Sequence, residues 1–100
     1  MQAILERLVA FRIELLPLAE VGRHWVFQRD GFVTLVERTK SDGFGGIGST
    51  GLLTEAGMAV LMRRGERHVF VARGFEQEAS PEQVEMLRQF AADLEASLRA

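Results

Sequence analysis

From Gln2 to about Leu16 the apolar residues Ile4, Leu5, Leu8, Val9, Phe11, Ile13, Leu15 and Leu16 recur every three or four positions. They also spill around the cylinder, so the pattern predicts a helix that seeks burial on more than one side. Pro17 and then Gly22 close it, because proline lacks an amide hydrogen and its ring clashes with the preceding turn. Residues 24–28 (His-Trp-Val-Phe-Gln) and 32–37 (Phe-Val-Thr-Leu-Val-Glu) are β-prone runs on either side of Asp30-Gly31, the strongest hairpin signal in the chain. Residues 40–51 hold five glycines, whose backbone entropy favours a loop or an irregular edge.

The segment from Met58 to Arg73 fits either a hairpin or a helix followed by a strand. Gly57 and Gly65 would each cost about 1 kcal/mol inside a helix. Arg63-Arg64-Gly65-Glu66 also makes a good turn into the β-prone run His68-Val69-Phe70-Val71-Ala72, so a second hairpin is favoured. The last helix is the most sharply written. Ser80 is its N-cap, Pro81 its first residue and Gln83 the return partner of a capping box. Val84, Leu87, Ala91, Leu94 and Leu98 then follow 3-4-3-4 spacing with Phe90 beside them.

These elements predict one α+β domain over residues 1–100. It would be a two-layer sandwich whose antiparallel sheet of about four strands, in two hairpins, is covered by an N-terminal and a C-terminal helix. Alternation sets Trp25 and Phe27 opposite Val26, and Val33 and Leu35 opposite Phe32 and Val36, so both sheet faces carry apolar residues. Either the helices divide between the faces of a monomer, or a partner covers the second face. The apolar first helix favours the partner, and a homodimer in particular, with Leu5, Leu8, Phe11 and Leu15 as interface residues.

Apolar residues make up 47% of the chain and charged residues 26%, which is globular rather than disordered composition. The formal charge of -2 is spread evenly and gives no general attraction to nucleic acid or to an anionic membrane. With no cysteine, disulfides and thiolate metal sites are ruled out. Glu6, Arg7, Arg12 and Glu14 interrupt the apolar opening, so neither a membrane span nor an export signal is expected and the reading is cytoplasmic. Eleven of the twelve basic residues are Arg.

Gly46-Ile47-Gly48-Ser49-Thr50-Gly51 matches GxGxxG in letter, which makes Gly46, Gly48, Ser49 and Thr50 candidate ligands for an anion. The βαβ context of a dinucleotide fingerprint is missing, and Leu52 stands where a P-loop needs lysine. Arg63, Arg64, Arg67 and His68 form the one local concentration of positive charge, suited to phosphate or to a solvated turn. The only other histidine, His24, has no metal-ligand spacing with His68, and no metal or cofactor is implied.

Leu35-Val36-Glu37-Arg38, then Leu53-Thr54-Glu55-Ala56-Gly57, then Ser80-Pro81-Glu82-Gln83 and an apolar helix resemble the wing and C-terminal helices of MarR-type winged-helix repressors. The resemblance covers about two thirds of the chain. It implies a dimeric DNA binder whose terminal helices build the dimer, with a recognition helix on residues 24–31, where the residues themselves read as strand. The leading expectation is a non-enzymatic, self-associating assembly module. The alternative is a nucleic-acid or phosphate-ligand binding protein with a winged-helix-repressor-like C-terminal half. An enzyme is the least supported class, because no nucleophile, base or metal set stands together in the sequence.

Overall fold

The computed structural model describes residues 2–16 and 23–99. In chain order the elements are α1 (Gln2–Ala10), β1 (Glu14–Leu16), β2 (His24–Arg29), β3 (Phe32–Arg38), β4 (Phe44–Thr54), β5 (Gly57–Arg64), β6 (Arg67–Ala72), β7 (Phe75–Ala79) and α2 (Pro81–Leu98). Each strand pairs antiparallel with the next, so the sheet is a meander in sequence order. The expected sheet of about four strands is therefore corrected to seven. The three added strands come from stretches read as helix (β1), as glycine loop (β4) and as connector (β7).

The first helix is shorter than its apolar pattern, for a reason at its C-terminus. The Ile13 amide donates to the Leu8 carbonyl (2.9 Å) and the Arg12 amide to that of Val9 (3.0 Å). Arg12 is left-handed at φ 59. This is a Schellman cap, with Leu8 and Ile13 as its buried apolar pair, and Arg where glycine usually stands. Pro17 and Gly22, expected to close the helix, lie outside the described residues.

Both expected hairpins form. Asp30 and Gly31 take positive φ (53 and 87), as a type I′ turn requires, and Arg29 faces Phe32 across it. Gly65, with φ 64, opens the two-residue turn between Arg64 and Arg67. The winged-helix resemblance is not carried by the fold: the place of a recognition helix is β2 and its turn, and residues 53–57 close the β4–β5 hairpin.

The glycine-rich segment is a strand because its neighbours come too close for side chains. A Cβ on Gly48 would lie 3.0 Å from the Leu35 carbonyl oxygen, and one on Gly51 only 2.2 Å from that of Ala59. Bulges interrupt the β3–β4 register on both sides of Val36. Beyond the Gly51–Val60 pair, β4 continues along β3 while β5 continues along β6, so the sheet forks at Gly51.

Register places Phe27, Phe32, Val36, Leu52, Ala59, Leu61 and Phe70 on one face. Both helices pack there: Leu8 of α1 and Val84, Leu87, Phe90 and Leu94 of α2 join those side chains in one core. The capping box starts α2, with the Gln83 amide donating to Ser80 Oγ (3.1 Å) and the Ser80 amide to Gln83 Oε1 (2.9 Å). Arg7 of α1 closes it, donating from Nε to the Ser97 carbonyl (3.0 Å) and from Nη2 to that of Arg99. Arg29 donates to Asp93 Oδ2 (2.9 Å) and to the Phe11 carbonyl (3.0 Å), and its guanidinium lies 5.5 Å from the Phe90 ring centroid. Among the described residues no helix is long and apolar enough to cross a membrane.

Two glycine substitutions should act with opposite sign. Gly51→Ala presses a methyl group onto backbone and should cost about 1–3 kcal/mol. Arg12→Gly relieves a left-handed residue at a helix cap and should add about 0.5–1 kcal/mol. Urea denaturation followed by circular dichroism checks both.

Candidate functional site

On the face away from the helices, side chains line up in rows across the strands. One row runs Gln28, Val33, Gly51, Val60, Val71 and Glu76. A second begins Leu16, Val26, Leu35 and, past the fork, resumes with Met62, Val69 and Glu78. Leu53 and Met58 form a third, shorter row. The result is an apolar band from β1 to β6 on the face opposite the helices, in which Val26, Val33 and Val69 are already buried within the chain. Leu53 is 48% exposed, Val60 38% and Met62 48%. Gly51, near the middle, is buried, and the Ala59 carbonyl and Met58 fill the space a side chain would take.

Charges border this band, and they are paired within the chain. Arg64 meets Glu76 at 2.6 Å and Arg67 reaches Glu78 at 4.0 Å, while Gln28 donates to Glu14 (3.1 Å) at the opposite edge. The two ion pairs are half exposed or more, so each contributes little to stability. They do leave the rim near electrical neutrality.

The structure divides the residues nominated from sequence. Arg64 and Arg67 stand on the open face, whereas Arg63 and His68 face each other on the helix side, by strand alternation. Arg63 Nε donates to the Gly65 carbonyl (2.9 Å). His68 and Arg67 line a cleft of about 330 Å³ against the first turns of α2, with Glu66, Glu78, Glu85 and Arg88. Gly46, Gly48 and Ser49 are exposed in β4, and Thr50 Oγ1 lies 2.7 Å from Thr34 Oγ1. Gly48 and Thr50 line a broad groove against Ala91, Ala92 and Glu95 of α2. The GxGxxG letters thus lie in a strand that runs into a hairpin, with no helix N-terminus after them.

Of the proposed interface set, Leu8 is buried in the chain's own core, Phe11 is half-buried against it, and Leu5 and Leu15 are exposed. Among the described residues no three His, Cys, Asp or Glu side chains gather as metal ligands. Residues of the open face that sequence reasoning did not nominate, Leu53, Val60 and Met62, were signalled by their opposition to Leu52, Ala59 and Leu61. No protein-family model, curated protein or solved structure matches the chain.

Neighbouring residues test which face is which. Leu61→Thr removes apolar packing from the core side and should cost about 2 kcal/mol, while Met62→Thr on the open side should stay within about 0.5 kcal/mol. Equal losses at submicromolar protein, measured by thermal melting, would contradict the assignment of faces.

Proposed function

We propose that this domain is a non-enzymatic assembly module in which two copies pack their open sheet faces together. The observation that carries the reading is the exposure of Leu53, Val60 and Met62 on the face opposite the two helices. Five strand spacings of about 4.8 Å and some six residues of length give the band a projection of roughly 500 Å², before side-chain relief is counted. A standard interface takes about 800 Å² from each partner. The occupant follows from the rim, because its intrachain ion pairs let an identical face approach without like-charge repulsion.

A nucleic acid finds less on this surface. Arg64 and Arg67 already face carboxylates, and Arg63 turns to the other side of the sheet. Two twisted sheets stacked face to face would bury Val60 and Met62 at the centre, in the manner of a β-sandwich. The chain has no cysteine, so such an assembly needs no oxidising compartment, and the reading places it in the cytoplasm.

Sedimentation velocity from about 1 to 200 µM, with and without about 0.5 M salt, tests the reading. The expected result is a dimer that grows with concentration and resists salt. Met62→Glu should abolish it while leaving the circular dichroism spectrum unchanged, since a buried unpaired carboxylate is costly only in the dimer. A wild-type chain that stays monomeric across the range would overturn it.

A further inference from the structure

Sulfur chemistry in this chain is confined to methionine, because it has no cysteine. Three of its four methionines lie among the described residues, and two of these belong to the open sheet face. Met58 and Met62 flank Val60 along β5, and the three alternate with Ala59 and Leu61, which turn toward the helices.

The two methionines have different surroundings. Met58 stands opposite Leu53, and its Cγ lies 3.2 Å from the place a Cβ on Gly51 would take, so it is half-buried. Met62 has a cross-strand neighbour on one side only, Val69, because the pairing of β4 with β5 ends at Gly51 and Val60. The fork in the sheet leaves Met62 48% exposed. Met86 is 45% exposed but sits on α2, across the sheet from that face. Two methionines are thus about equally open to solvent, and only Met62 stands where a second copy would pack.

We propose that Met62 is an oxidation site through which a peroxide switches self-association off; the inference rests on the sheet-face assembly proposed for this domain. The thioether sulfur attacks one peroxide oxygen, the S–O bond forms as the O–O bond breaks, and the second oxygen leaves as water with both protons. Sulfur gives up two electrons and the peroxide is reduced. A dithiol returns the electrons, becoming a disulfide while the sulfoxide oxygen departs as water. The thioether suits an apolar contact, whereas the sulfoxide is polar and needs a hydrogen-bond donor. Its neighbours Val60 and Val69 carry no side-chain donor, and a twofold assembly would bury two such groups at once. In the separate chain the added oxygen stays in solvent, so the fold is spared.

Hydrogen peroxide applied to the full chain, followed by peptide mass spectrometry and sedimentation velocity, tests this. At about 1 µM, Met62 and Met86 should gain oxygen at similar rates; at about 200 µM, Met62 should slow severalfold and Met86 should not. The oxidised chain should self-associate at least about tenfold more weakly with an unchanged circular dichroism spectrum. Methionine sulfoxide reductases of both epimer specificities, with dithiothreitol, should restore it. Met62→Leu, which keeps an apolar side chain of similar size, should dimerise with or without peroxide, and Met86→Leu should remain switchable. A chain oxidised at Met62 that dimerises as the untreated one does would overturn the inference and leave the assembly reading standing. So would a Met62→Leu chain that peroxide still dissociates. A chain that is monomeric before any oxidation would overturn both.

Discussion

A seven-stranded antiparallel sheet has two faces to cover, and this chain places both of its helices, of nine and eighteen residues, on the same one. That single constraint organises the molecule. The covered face receives the large side chains, with Phe27, Phe70, Phe90 and Leu94 fully buried. The other face keeps the branched and flexible apolar residues that alternate with them, with Val26, Val33 and Val69 buried and Val60 and Met62 exposed. Its centre is Gly51, where the sheet forks and where a neighbouring carbonyl leaves no room for a side chain.

Polar groups in the helical layer set the helices' positions and not merely their burial. Arg29, on the last residue of β2, holds a carboxylate of α2, the carbonyl that follows α1 and the face of Phe90 at once. Arg29 and Asp93 are only 12% and 15% exposed, so their mutual satisfaction matters more than any attraction gained over water. Arg7 adds a second tie, supplying α2 with the C-terminal cap that its own sequence lacks. Together they fasten a nine-residue helix that would be marginal alone.

Arginine is used in three ways, each fixed by where the fold places it. Arg7 and Arg29 satisfy carbonyls and a carboxylate inside the fold; Arg64 and Arg67 neutralise the acidic edge strand β7. Arg38, at the far end of β3, lays its guanidinium over the Trp25 ring, 4.0 Å from the centroid.

Local chemistry alone determined the parts of the fold that depend on a few adjacent residues. The Asp30-Gly31 and Gly65 turns demand positive φ, and the Ser80-Pro81-Gln83 box satisfies the free amides of α2; both could be read because neighbours in sequence are neighbours in space. Apolar alternation in β2 and β3 likewise announced a second face in need of cover. Only tertiary structure decided the rest. β4 is a strand because its glycines admit close neighbouring backbone, β7 because its backbone extends the antiparallel ladder of β6, and α1 stops early because Arg12 accepts a left-handed turn that buries Leu8 with Ile13. The same holds for Arg23 and Arg38, ordinary surface arginines in the sequence until β2 and β3 pair and bring their backbones together. Each of these outcomes rests on contacts between residues distant along the chain, which no pattern of adjacent positions encodes.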